Sequence, residues 1–143
     1  MPTSILKPTP PLATHHVRLT DSPIIEAIDG VEVRPLCVNE QASLAYFYLG
    51  EGKVSQWCEH LDFDEFWFVL SGSGRIAVKA RDGASGETQV SRGSSLIIPK
   101  NSAFQVFAMP HHSLEIVACS VPPFEERNVR LLQAKRSEGE RQT

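Results

Sequence analysis

Three side chains able to bind a metal or to move a proton fall close together in this chain: Cys58, His60 and Glu65. On an extended strand alternate side chains share a face, so Gln56, Cys58 and His60 are expected to point the same way. The stretch Leu61-Asp62-Phe63-Asp64 reads as a short turn, after which an antiparallel return brings Glu65, at the head of the next strand, back beside His60. Sulfur, nitrogen and oxygen donors that converge in this way would hold one divalent ion, whether zinc, iron or manganese. A thiolate at Cys58 would tilt the choice toward zinc. Without a metal the same residues suit proton transfer. A carboxylate beside an imidazole fixes its tautomer and raises its basicity, which makes His60 a general base. Burial near Trp67 would instead lift the pKa of Glu65 and keep it protonated as an acid, and the sequence leaves both directions open. Cys58 reads equally well as a small buried hydrophobe, and His60 with Glu65 as a hydrogen-bonded remnant of a lost metal site.

Such residues need a scaffold that folds the chain back on itself, and the pattern from Val31 to Ser120 supplies one. Short β-rich runs such as SLAYFYL, EFWFVL, GRIAVKA, AFQVFAM and SLEIVACS alternate with turn residues, among them Ser71-Gly72-Ser73-Gly74, Asp82-Gly83 and Lys100-Asn101. No helical period interrupts them. This regular spacing marks an all-β sandwich or barrel. The run EFWFVL is apolar on both parities, so one of its faces is expected to line the barrel and the other to lie under a second sheet or another subunit. A homodimer is the expected assembly. Residues 1–22, rich in Pro, Thr and Ser, read as an arm that is flexible or crosses to a partner. Residues 23–124 read as the barrel and 125–143 as a charged tail, with a short helix around Val129 to Ala134 before it frays.

Gly52, Cys58, His60, Glu65 and Gly72 are spaced G-x5-C-x-H-x4-E-x6-G, which resembles the first motif of the cupin superfamily, G-x5-H-x-H-x3,4-E-x6-G, with Cys58 in place of the first histidine. Gly93, Pro99 and Asn101 are similar to the second motif, G-x5-P-x-G-x2-H-x3-N. Within it Asn101 replaces a glycine, Phe104 stands at the third histidine and Ala108 at the asparagine. The resemblance covers roughly residues 31–124 and extends to the stretches FWFVLSGSGRI, RGSSLIIP and SVPPF, as in small single-domain cupins. It implies a double-stranded β-helix, or jelly-roll, barrel with an N-terminal arm and a charged C-terminal tail. An iron site of two histidines and one carboxylate needs a second imidazole, and none stands where the resemblance would place it. By parity with Val106 and Ala108, Phe104 is expected to face the pocket, removing a ligand and adding an apolar wall. Trp67, Tyr46 and Tyr48 are expected as further aromatic walls and Gln56 as a polar lining residue, although core packing is the commoner use of strand aromatics. Which way Glu115 points depends on register, whereas His111 and His112 follow Pro110 in a turn and are expected in solvent.

At 143 residues the chain suits one domain with one pocket. Lys and Arg number 14 against 17 Asp and Glu, with no basic block to track a phosphate backbone, so nucleic acid is not an expected partner. The start MPTSILKPTPP lacks the apolar stretch of a secretory signal, and no later segment is apolar enough to cross a bilayer. The three cysteines form no close-spaced pair, which argues for a reducing compartment and a soluble, cytoplasmic protein. The leading expectation is an enzyme of lyase, dehydratase, isomerase or cyclase type acting on a small molecule, with His60 as base and Glu65 as acid or orienting group. The alternatives are a metal-dependent enzyme built on Cys58, His60 and Glu65, and a non-catalytic barrel that binds a small ligand.

Overall fold

The computed structural model describes residues 14–132, and these fold as an all-β barrel of two antiparallel sheets. The strands are β1 (Ile25–Glu26), β2 (Glu32–Val38), β3 (Ser43–Leu49), β4 (Cys58–His60), β5 (Asp64–Ser71), β6 (Ser73–Lys79), β7 (Ser85–Ser91), β8 (Ser95–Ile98), β9 (Ala103–Ala108), β10 (Leu114–Val121) and β11 (Val129–Leu131). One sheet has the order β1-β2-β3-β10-β5-β8 and the other β11-β4-β9-β6-β7. The chain passes repeatedly between the two, so residues near in sequence end on opposite walls.

Period-two patterning decides what each wall presents. Along β5 the side chains of Glu65, Trp67 and Val69 are buried, while Phe66, Phe68 and Leu70 are exposed. Inward residues of both sheets, including Val69, Ile76, Ile98, Leu114 and Ala118, form one continuous core. Each large apolar side chain fully buried there contributes about 1.5–3 kcal/mol. The outer row of β5 stays open in the single chain, with Phe66 and Phe68 each 47% exposed.

Two turns have steric demands that fix the strands. Gly72, between β5 and β6, has φ +88°, and a Cβ built on it would lie 1.6 Å from the carbonyl oxygen of Ser113. At the other end of the barrel Asn101 takes the left-handed conformation (φ 66°) expected of the glycine it replaces, and Asp62 does the same (φ 70°). Asn and Asp tolerate this region better than other side chains. Asn101 N–H donates to the carbonyl of His60 at 2.7 Å, and the Asn101 side chain accepts from Asp62 N–H at 3.1 Å. The two residues thereby pin the turn that follows His60.

Two expectations about the strands need correction. The helix expected from Val129 is instead strand β11, paired with β4 through Val129–His60, Arg130–Glu59 and Leu131–Cys58. The exposed edge of β4 offers backbone partners, and the Arg130 guanidinium reaches the buried Glu59 carboxylate at 2.5 Å, with Arg81 on its other side at 3.0 Å. The second concerns the run VSQWCEH, which is extended as a strand only from Cys58; before it, Val54 makes a lone bridge to Phe107 and Gln56 N–H donates to the carbonyl of Asp29. The barrel therefore takes in residues beyond 124. A single helical turn of 3-10 type at Leu19–Asp21 interrupts the segment expected as an arm, whose residues 1–13 lie outside the described ones, as does the tail beyond 132. Among the described residues no helix is long and apolar enough to cross a membrane.

Candidate functional site

Strand alternation on β4 turns Cys58 and His60 into the barrel and Glu59 out of it toward Arg81 and Arg130. The pinned turn then crosses to the opposite sheet, where Glu65 enters from β5. Cys58, His60 and Glu65 all line one cavity of about 330 Å³, together with Trp67, Phe104 and Ser120. They are almost wholly buried, at 1%, 5% and 1% exposure respectively.

The carboxyl of Glu65 is oriented from two sides. Trp67, two residues along the same face, donates its indole N–H to Oε1 at 2.8 Å, and Ser120, in register with Glu65 on β10, donates its hydroxyl to Oε2 at 2.6 Å. Burial nevertheless dominates and raises the Glu65 pKa from 4.5 to about 7, the two hydrogen bonds opposing the rise and the nearby Asp29 adding to it. Near neutral pH this group is therefore divided between acid and carboxylate.

The imidazole of His60 is held by rings rather than by hydrogen bonds. It stacks on Phe63 with centroids 4.4 Å apart and meets the edge of Phe104 at 4.8 Å. Its Nδ1 is buried and has no hydrogen-bond partner. That atom faces Oε1 of Glu65 at 3.7 Å, beyond hydrogen-bonding distance. With no bonded carboxylate to raise its basicity, burial lowers the His60 pKa to about 4 and the ring is neutral. This corrects the expectation of a basicity raised by a bonded carboxylate.

Burial also pushes the Cys58 thiol well above its usual range, with Asp29 and Glu65 adding to the effect. Among the described residues no three His, Cys, Asp or Glu side chains are grouped closely enough to hold a metal ion. The expected donors share a cavity without forming a ligand cluster, because Phe104 packs against His60 and the Glu65 carboxyl is turned to Trp67 and Ser120. The residues present thus fit a resident metal poorly.

Other expected lining residues stand elsewhere. Tyr46 and Tyr48 lie on the outer parity of β3, where Tyr46 donates its hydroxyl to the Glu115 carboxylate; the wall on the inner parity is Phe47. Glu115 is thereby fixed on the outer face, also accepting from Ser71 at 2.5 Å. Gln56 is exposed because it precedes the strand. Phe104 and Trp67 do line the cavity, their rings edge to face at 5.5 Å. His111 and His112 are exposed. Lining residues not singled out for the site by the sequence include Asp29 from the β1–β2 loop, Phe47, Ser120 and Phe124. Asp29 is buried, which raises its pKa although its carboxylate accepts from Val31 N–H.

No protein-family model matches the chain, and no curated protein matches its sequence. Solved structures do resemble it in fold. The nucleoside dehydratase Pac13 of Streptomyces superposes with a TM-score of 0.68 at 16% identity, over 85% of this chain and 92% of that one. Oxalate decarboxylase of Bacillus subtilis gives 0.73 at 16% identity over 87% of this chain, which matches 34% of the longer enzyme. CapF gives 0.66 at 14% identity over 78% of this chain and 34% of that one. All are cupin-fold proteins, so the chain shares the cupin barrel.

Proposed function

We propose that this barrel is an enzyme acting on a small organic molecule by acid/base chemistry, of lyase, dehydratase, isomerase or cyclase type. The observation that carries the reading is the gap of 3.7 Å between the unpartnered Nδ1 of His60 and the oriented carboxyl of Glu65. Leaving a buried polar atom unsatisfied costs about 1–3 kcal/mol, and such a group inside a cavity points to a role in binding or chemistry. A substrate in the cavity beside this pair meets a neutral imidazole and a carboxylic acid at adjacent points of the wall.

Dehydration of a β-hydroxy ketone illustrates the chemistry. His60 accepts the proton from the carbon beside the carbonyl, and Glu65 gives its proton to the departing hydroxyl, which leaves as water. The new double bond takes up the electron pair, and transfer of the proton from His60 to Glu65 restores both groups. So weak a base as His60 suffices only for a C–H already acidified by a carbonyl, which narrows the substrates. That Pac13 is a nucleoside dehydratase shows dehydration in this fold and is support by analogy alone.

The aldol adduct of benzaldehyde with acetone is a suitable probe, since its dehydration to benzylideneacetone is followed by absorbance. Turnover is expected to survive exhaustive chelation and to fall by roughly 10²–10⁴ in His60→Ala. Turnover abolished by chelation and restored by zinc or manganese would favour a centre at Cys58, His60 and Glu65 instead. Saturable binding of the adduct without turnover would favour the non-catalytic barrel.

A further inference from the structure

The charged groups on the cavity wall are of one sign. Asp29, Glu26, Glu65 and Glu126 line it, and among the described residues no Lys or Arg does. His60, Glu65 and Ser120 contribute one polar cluster, while Val31, Phe47, Leu49, Trp67, Phe104 and Ile116 make up much of the apolar wall. An anion moved into such a space loses its water and gains no cation. A molecule with many hydroxyls meets too few partners for them. A flat apolar body, by contrast, replaces water against the aromatic edges of Phe47, Trp67 and Phe104.

We infer that the cavity selects an uncharged, largely apolar molecule with at most two neutral oxygen groups, gathered at one end, and excludes carboxylates, phosphates and polyhydroxylated compounds. The oxygen-bearing end sits beside His60 and Glu65 and the apolar body lies against the aromatic wall. This rests on the proposed function only in taking the cavity as the substrate site. Selection is a property of binding, so it stands or falls independently of the proton transfers.

The test uses two probes of nearly equal shape, benzylacetone and hydrocinnamic acid, with uridine as the polar comparison. Trp57 lies under the Lys79 ammonium outside the cavity, so Trp57→Phe leaves Trp67 as the one fluorescent reporter on the cavity wall. At about pH 8 benzylacetone should saturate the signal with a Kd at least roughly tenfold below those of hydrocinnamate and uridine. At about pH 4, where the acid is largely uncharged, its affinity should approach that of the ketone. Val33→Phe and Ala27→Phe, each adding bulk at the cavity wall, should weaken ketone binding. The inference is overturned if hydrocinnamate or uridine binds as tightly as the ketone, if the ketone does not saturate, or if both bulky variants bind it unchanged. His60→Ala that loses turnover yet keeps the ketone preference supports both readings. Preference retained in a protein without any turnover would sink the proposed chemistry and leave the selectivity standing.

Discussion

Glu65→Gln is expected to lower kcat by roughly 10²–10⁴ while leaving KM and the folded structure nearly unchanged. Glutamine has the shape of the protonated acid, and its carbonyl oxygen still accepts from the Trp67 indole, which donates at 2.8 Å in the parent protein. The Ser120 hydroxyl, a donor to Oε2 at 2.6 Å, can rotate to accept from the new amide. What the variant lacks is a transferable proton. The pH profile supplies the internal check. Glu65 acts as an acid, so the parent activity should be highest below its raised pKa of about 7 and fall as pH rises through it. The residual activity of Glu65→Gln should lack that alkaline limb. A variant that keeps more than about a tenth of the parent kcat would remove Glu65 from the proton-transfer step.

The largest expected loss of stability belongs to Gly72→Ala. The added Cβ would lie 1.6 Å from the Ser113 oxygen, 2.7 Å from its carbonyl carbon and 3.2 Å from Leu114 Cα. All are backbone atoms, so no side chain can swing aside. Relief requires the β5–β6 turn to move away from the start of β10, where Leu114 is fully buried in the core. With the left-handed φ of +88° added, the cost should exceed about 4 kcal/mol. Gly83→Ala is the control, since its φ is +97° but nothing lies within 4 Å of the new atom. It should cost only about 1–2 kcal/mol. Urea unfolding reads both, the first as an unfolded chain or a greatly lowered midpoint and the second as a modest shift at constant slope. Equal losses at the two positions would show that backbone conformation, and not the close approach to Ser113, makes Gly72 necessary. A far larger loss at Gly72 than at Gly83 would show that Gly72 owes its place to the crossing of two backbones.

Much of the barrel was legible because its signals are local. Turn residues separate the runs, and Trp67, expected as an aromatic wall, does lie on the inner face of β5, although both parities of EFWFVL are apolar. Parity puts Cys58 with His60 and Phe104 with Val106 on shared faces, the motif resemblance joins them in one interior, and the short turn after His60 brings Glu65 across to them. The failures share a different cause. In SLAYFYL both parities are apolar, so nothing local separates Phe47, which lines the cavity, from Tyr46 and Tyr48, which do not. Gln56 stands outside the cavity because strand β4 begins at Cys58, four residues into the β-rich run that starts at Val54. Ser120 and Asp29 reach the site through register and loop path, which are tertiary facts. Val129 to Leu131 became a strand because β4 offered an open edge, a partner far away in sequence.

The proposed chemistry needs Glu65 to hold a proton near neutrality, and its side-chain carboxyl can be titrated directly by NMR of protein with isotopically labelled glutamates, Glu65→Gln identifying the resonance. A midpoint of about 7 is the expected result. A midpoint near the ordinary value of about 4.3 would leave the group ionised throughout the working range and contradict its role as the acid.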